Sequence, residues 1–94
     1  MMRLLMDVHG QEWDTAWEIT TKIFAYTNHT LLPEALETWP SRIVGKILPR
    51  HLQIIYEINR RFIDFAKSKF GDDSAKLSKL SIVSGDGDGQ IIRM

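Results

Sequence analysis

Residues 49–69 carry an apolar pattern that a long helix satisfies and little else does. Leu52, Ile55, Asn59, Phe62 and Ala66 fall on one stripe at helical spacing, and Ile54, Ile58 and Phe65 on a second beside it. Pro49 suits the first helical position, where its fixed φ fits and its missing N–H would have no intrahelical partner anyway. Gly71 suits the left-handed position just past the end. An apolar face this wide predicts burial on two sides.

Other elements arrange themselves around that helix. Residues 1–9 read as the last turns of an amphipathic helix that starts without a cap, as expected of a stretch cut from a longer chain. Gly10 ends it. Asp14 is a candidate N-cap for a helix running to about Tyr26, with Trp13, Ala16, Trp17, Thr20, Ile23 and Phe24 at helical spacing and the two tryptophans forming one ridge. Residues 27–33 mix polar, β-branched and proline residues and predict an irregular connector. Residues 34–38 predict a short helix behind Pro33, and Pro40 opens another to about Leu48. Beyond Gly71, Asp72 or Asp73 can cap a shorter helix reaching Leu80. Residues 81–84 and 90–93 are then β-prone runs around Gly85-Asp86-Gly87-Asp88-Gly89, which predicts a hairpin with a five-residue turn. Such a hairpin is marginal alone and must lean on a sheet or helix. The expected fold is therefore mainly α, with four to five helices including one long one, plus a short C-terminal β-hairpin that runs to Met94 without a closing signal.

Composition removes several functions. Twelve Lys and Arg balance twelve Asp and Glu, so no broad field draws nucleic acid or an anionic membrane to the chain. Without cysteine there is no disulfide, no thiolate chemistry and no zinc site built on Cys. The apolar run before Asp7 is too short for a signal-peptide core or a spanning helix. Length and the 44% apolar fraction fit one folded unit.

Chemistry-bearing residues concentrate in residues 26–30, where a phenol, two hydroxyls, an amide and an imidazole follow one another. Sugar hydroxyls are recognised by such paired donors and acceptors. The same residues also serve a purely structural purpose, with Asn28 and Thr30 capping helices, and spacing does not choose between the two. Trp13, Trp17 and Trp39 can stack on sugars or pack a core. Arg42, Lys46 and Arg50 form a basic stripe only if one helix runs through them, and Pro49 breaks that register. From Asp86, the sixth position of a calcium loop falls on Ile91 instead of Gly, and no Glu closes the loop. His9, His29 and His51 lack metal-ligand spacing, so no metal is expected.

Two longer stretches say more: Ala25-Tyr26-Thr27-Asn28-His29-Thr30-Leu31-Leu32-Pro33-Glu34-Ala35-Leu36-Glu37-Thr38-Trp39-Pro40 and Leu48-Pro49-Arg50-His51-Leu52-Gln53-Ile54-Ile55-Tyr56-Glu57-Ile58-Asn59. Both resemble signature text of the α-glucan phosphorylases, the enzymes of glycogen, starch and maltodextrin breakdown. Trp13-Asp14-Thr15-Ala16-Trp17 and residues 80–94 extend the resemblance over nearly the whole chain. It implies an α/β glycosyltransferase B-type parent enzyme, of which residues 1–94 would be a single incomplete unit from the N-terminal domain. Such enzymes transfer a terminal α-1,4-linked glucosyl unit to inorganic phosphate, giving glucose 1-phosphate, with pyridoxal phosphate held by a lysine of the C-terminal domain.

Carried over by position, the resemblance places Asn28, His29 and Thr30 at the glucosyl subsite. Glu34, Ala35 and Glu37 fall in a loop beside the catalytic cleft, and Tyr56 and Asn59 at a remote glucan storage site, where Arg60 replaces an expected glutamine. Counterparts of the cofactor lysine motif, the glycine-rich phosphate-side loop and the phosphate-binding arginine are absent. The expectation is a cytoplasmic parent enzyme whose 94-residue segment, alone, binds no cofactor and catalyses nothing. Its partners would be α-glucan, phosphate and the remainder of the chain. The alternative is a non-catalytic helical self-association module, a homo-oligomer with at most weak glucan binding.

Overall fold

The computed structural model describes residues 1–93 and divides the chain into two compact units, Met1–Leu31 and the residues from Leu32 on. In the first unit a π-helical turn, Leu4–Val8, is closed by the His9 N–H on the Leu4 carbonyl at 3.1 Å. Gly10, at φ 64°, turns the backbone where a β-carbon would be strained. Helix α1 follows, Trp13–Ile23. Ala16 is fully buried, Met2 nearly so, and the Thr20 hydroxyl donates to the Met2 sulfur at 3.3 Å. The Trp13 and Trp17 rings stack at 6.4 Å.

Two details of α1 differ from the sequence expectation. Glu12, not Asp14, occupies the cap position, without a side-chain hydrogen bond, and Asp14 lies in the first turn. The helix also stops at Ile23, because Phe24 is already extended and both Phe24 and Tyr26 are exposed. A helix end with no apolar partner has only weak propensity to hold it.

The second unit is built on helix α3, Pro49–Phe70, which begins and ends within a residue of the expected limits. Helix α2, Ser41–Ile47, meets it through the single residue Leu48. A β-carbon at Gly45 would stand 2.8 Å from Leu52 Cδ2, so glycine lets these helices approach closely. Helix α4, Ser74–Leu80, is capped by Asp73, whose carboxylate accepts the Ala75 and Lys76 N–H groups at 3.2 and 3.3 Å. Gly71 has the expected positive φ, 72°, but its ψ of −165° lies outside the left-handed helical region.

Three strands form an antiparallel sheet in the order β1-β3-β2: Thr38–Pro40, Ile91–Arg93 and Val83–Ser84. β2 and β3 are the predicted hairpin, with a 3-10 turn, Gly87–Gly89, at its tip. The expected run of the last strand to Met94 lies outside the described residues. β1 corrects the sequence reading, which took residues 34–38 as a helix. Only one 3-10 turn forms there, Pro33–Ala35, and Thr38 pairs with Arg93, Trp39 with Ile92 and Pro40 with Ile91. β-Branched and aromatic residues favour a ladder when a partner arrives, even from far along the chain. The third strand is what the hairpin needed to lean on.

Among the described residues of this unit, the buried apolar side chains are Ile54, Ala66 and Ile92, and Ser41 is buried too. The two-sided burial expected of α3 is only partial, since Phe62 and Phe65 remain exposed and the Lys69 ammonium lies over the Phe65 ring. Too little chain packs against that side to cover both stripes.

Candidate functional site

The residues expected to carry function fall into three places. Asn28, His29 and Thr30 lie in the extended stretch after α1, where all three are exposed. Asn28 Oδ1 accepts the Thr30 N–H at 2.8 Å, a local turn in which the asparagine carbonyl substitutes for a backbone acceptor. Residues 24–30 have no regular structure, and the amide, imidazole and hydroxyl groups of Asn28, His29 and Thr30 stand in solvent. The helix capping foreseen for Asn28 and Thr30 does not form: Phe24 ends α1, and Leu32, without a side-chain hydrogen bond, precedes the 3-10 turn Pro33–Ala35.

Glu34 and Ala35 sit in the 3-10 turn of the second unit, exposed, and Glu37 follows just before β1. Pro33 sets that turn, whose Ala35 N–H bonds the Leu32 carbonyl at 3.0 Å. Glu37 stands at the rim of an open apolar groove of about 340 Å³, lined by Trp39, Ile43, Ile47, Leu48 and Ile55 among others. Sequence reasoning missed this groove. Its signal was the spacing of Ile43, Val44, Ile47 and Leu48, one face of α2 that finds no cover.

Tyr56 and Asn59 lie one turn apart on α3, and both are engaged with the hairpin region. The Tyr56 hydroxyl donates to Gln90 Oε1. Asn59 is clamped at both ends of its amide: Oδ1 accepts the Ile82 N–H at 2.9 Å, and Nδ2 donates to Ser81 Oγ at 3.1 Å. The Ser81 hydroxyl itself donates a hydrogen bond to the Val83 carbonyl at 2.7 Å. Arg93 completes the corner, its guanidinium donating to the Ser78 and Lys79 carbonyls that end α4 and to Ser81 O. Tyr56 is left partly exposed, whereas Asn59 is half-buried by its partners.

Arg60, beside them, is occupied on its own helix. It donates to Glu57 from Nε at 3.0 Å and from a terminal nitrogen at 2.6 Å, and to Asp64 at 3.1 Å. The Arg60 hydrogen bonds, followed by that of Arg61, hold the Glu57 carboxyl down to about 2, and Glu57 in turn raises Arg60. Such a cluster orders an exposed helix face and leaves Arg60 a poor mimic of a neutral amide.

No cluster of His, Cys, Asp or Glu suited to a metal occurs among the described residues. None of the helices among them is long and apolar enough to cross a membrane. The lysines all stand on exposed helix faces, with Lys69 and Lys76 over phenyl rings. None is set in a pocket, so the residues present do not fit the aldehyde of pyridoxal phosphate.

The family model described as carbohydrate phosphorylase matches residues 1–94. Glycogen phosphorylase of Synechocystis sp. is 53% identical over 88 residues, which is 94% of this chain and 10% of that protein. Glycogen phosphorylase 2 of Dictyostelium discoideum is 52% identical over all 94 residues, 9% of its own length. The muscle form from Oryctolagus cuniculus is 53% identical over 83 residues, 88% of this chain and 10% of the relative. The chain thus spans about a tenth of the length of these relatives. A match over its whole length, at more than half identity, means that this chain belongs to the carbohydrate phosphorylase family.

Proposed function

We propose that these 94 residues are one incomplete unit from the N-terminal domain of an α-glucan phosphorylase, a cytoplasmic enzyme that transfers a terminal α-1,4-linked glucosyl unit to inorganic phosphate and gives glucose 1-phosphate. The observation that carries this reading is identity above one half to glycogen phosphorylases in matches that run the whole chain. Asn28, His29 and Thr30 would form one wall of the glucosyl subsite. Their donors and acceptors would hold the sugar and strengthen as positive charge develops at its ring, a contribution by positioning and electrostatics. Glu34, Ala35 and Glu37 would border the cleft, and Tyr56 with Asn59 would contact glucan at a separate storage site. Pyridoxal phosphate, which supplies acid-base chemistry through its phosphate, would be held by other parts of the parent enzyme, since no lysine here is placed to bind it.

The reading is tested by grafting. Residues 1–94 replace the matching stretch of the Synechocystis enzyme, and phosphorolysis of maltodextrin is followed as glucose 1-phosphate. The graft is expected to be active, and His29→Ala within it to lower kcat/KM at least about tenfold, the loss of one or more contacts made to the reacting sugar. A folded but inactive graft, or an unaffected His29→Ala graft, refutes the assignment. The isolated chain is expected to release no glucose 1-phosphate.

A second reading is favoured by the apolar groove, where Ile47 is 70% exposed. Exposed apolar surface of this kind drives association, so the isolated chain is expected to form a dimer or larger assembly. A clean monomer by light scattering at all concentrations would contradict it. Weak glucan binding at Tyr56 is checked by retarded migration in a glycogen-containing native gel.

A further inference from the structure

The hairpin is fastened to α3 and α4 in two unequal ways. Where β2 begins, the Ile82 N–H is held by Asn59, and where β3 ends, the Arg93 N–H bonds the Ile82 carbonyl at 2.7 Å while its side chain gathers the α4 carbonyls. These anchors are half-buried. The turn between them, residues 85–89, is exposed throughout. It contains three glycines, of which Gly85 and Gly87 have φ of 79° and 56°.

The Gln90 side chain links this turn to the helix. Its Oε1 accepts the Tyr56 hydroxyl and its Nε2 donates to the Gly85 carbonyl at 3.4 Å. The two bonds are in series, so breaking either one disconnects the turn from α3. The Gln90 backbone carbonyl, by contrast, accepts the Ser41 N–H at 3.0 Å and belongs to the sheet.

We propose that residues 85–89 form a hinged strap, latched to α3 through Tyr56 and Gln90, which opens while the sheet stays paired. Glycines allow the strap to change φ and ψ at little steric cost. The anchors keep opening local, because neither Asn59 nor Arg93 contributes to the latch. No ligand is needed for the device, which stands independently of glucan binding at Tyr56.

The test uses the whole 94-residue chain labelled with nitrogen-15, with Tyr56→Phe, Gln90→Ala and the double variant compared to the parent. Heteronuclear NOE values report the order of the turn amides, and hydrogen exchange of the Ile82 and Arg93 amides reports the anchors. Each single variant is expected to lower the NOE at residues 85–89 and to change anchor exchange less than about twofold, the behaviour of local opening. The double variant is expected to match Gln90→Ala, since that substitution already removes both bonds. Unchanged turn order in Tyr56→Phe overturns the latch. Anchor exchange that rises in step with turn disorder overturns the hinge, and a double variant looser than Gln90→Ala overturns the series arrangement.

Discussion

Asn59→Ala separates the structural work of this residue from any contact with glucan. The substitution removes the acceptor of the Ile82 N–H and the donor to Ser81 Oγ, two contacts that join α3 to the start of β2. An orphaned, partly buried N–H costs about 1–3 kcal/mol, and the lost hydrogen bond to Ser81 about 0.5–1.5 kcal/mol. Against this, alanine improves helix propensity by about 0.7 kcal/mol. The net is a destabilisation of about 2 kcal/mol, visible as a lower urea midpoint by circular dichroism. For a chain of this size each kcal/mol shifts Tm by about 4–8 °C. Since the two compact units need not unfold together, exchange of the Ile82 amide is measured alongside. Asn59→Asp keeps an acceptor for Ile82 while losing the donor, and should fall between alanine and the parent. A change below about 0.5 kcal/mol in Asn59→Ala, within the range of ordinary surface substitutions, would refute the clamp. So would an aspartate variant as weak as the alanine one.

Two further predictions concern the same helix. Gly71, at φ 72° and ψ −165°, occupies backbone space that is essentially reserved for glycine, so Gly71→Ala and Gly71→Asn should each cost about 1–3 kcal/mol in chemical denaturation; rescue by asparagine would show that the end of α3 is an ordinary left-handed cap. The Glu57 carboxyl is lowered from 4.5 to about 2 by hydrogen bonds from Arg60 and then Arg61, so its stabilising contribution is present above the unfolded value and is lost as pH falls toward 2. The urea midpoints of the parent and Glu57→Gln should therefore differ near neutrality and converge in acid, and a constant gap across that range would argue against the pairing.

The parts of this fold that could be read from the sequence are those fixed by neighbours in the chain. Pro49 and Gly71 mark the limits of α3, Asp73 caps α4 through N–H groups two and three residues on, and the glycines of residues 85–89 announce the turn. Pairing of Thr38 with Arg93 was hidden because a strand this short exists only by virtue of a distant partner. Nor does spacing tell where an amphipathic helix runs out of chain to pack against, which is why α1 ends early and Phe65 stays in solvent. For the candidate site, the polar character of residues 26–30 is plain in the sequence, while its meaning rests on likeness to related enzymes. The engagement of Tyr56 and Asn59 by the hairpin needed coordinates, since it joins residues 22 to 34 positions apart.

Strand order has a consequence for how the second unit is made. β3 is the middle strand, and it is also the last to emerge during synthesis. β1 and β2 both pair with it and not with one another, so until Ile91–Arg93 leaves the ribosome neither has a ladder to join. The α2 and α3 contacts are available earlier, being local along the chain, whereas the sheet waits for closure over some fifty residues. A nascent chain halted before Ile91 would thus carry helices and no sheet, with Trp39 and its neighbours in β1 as unpaired backbone open to association.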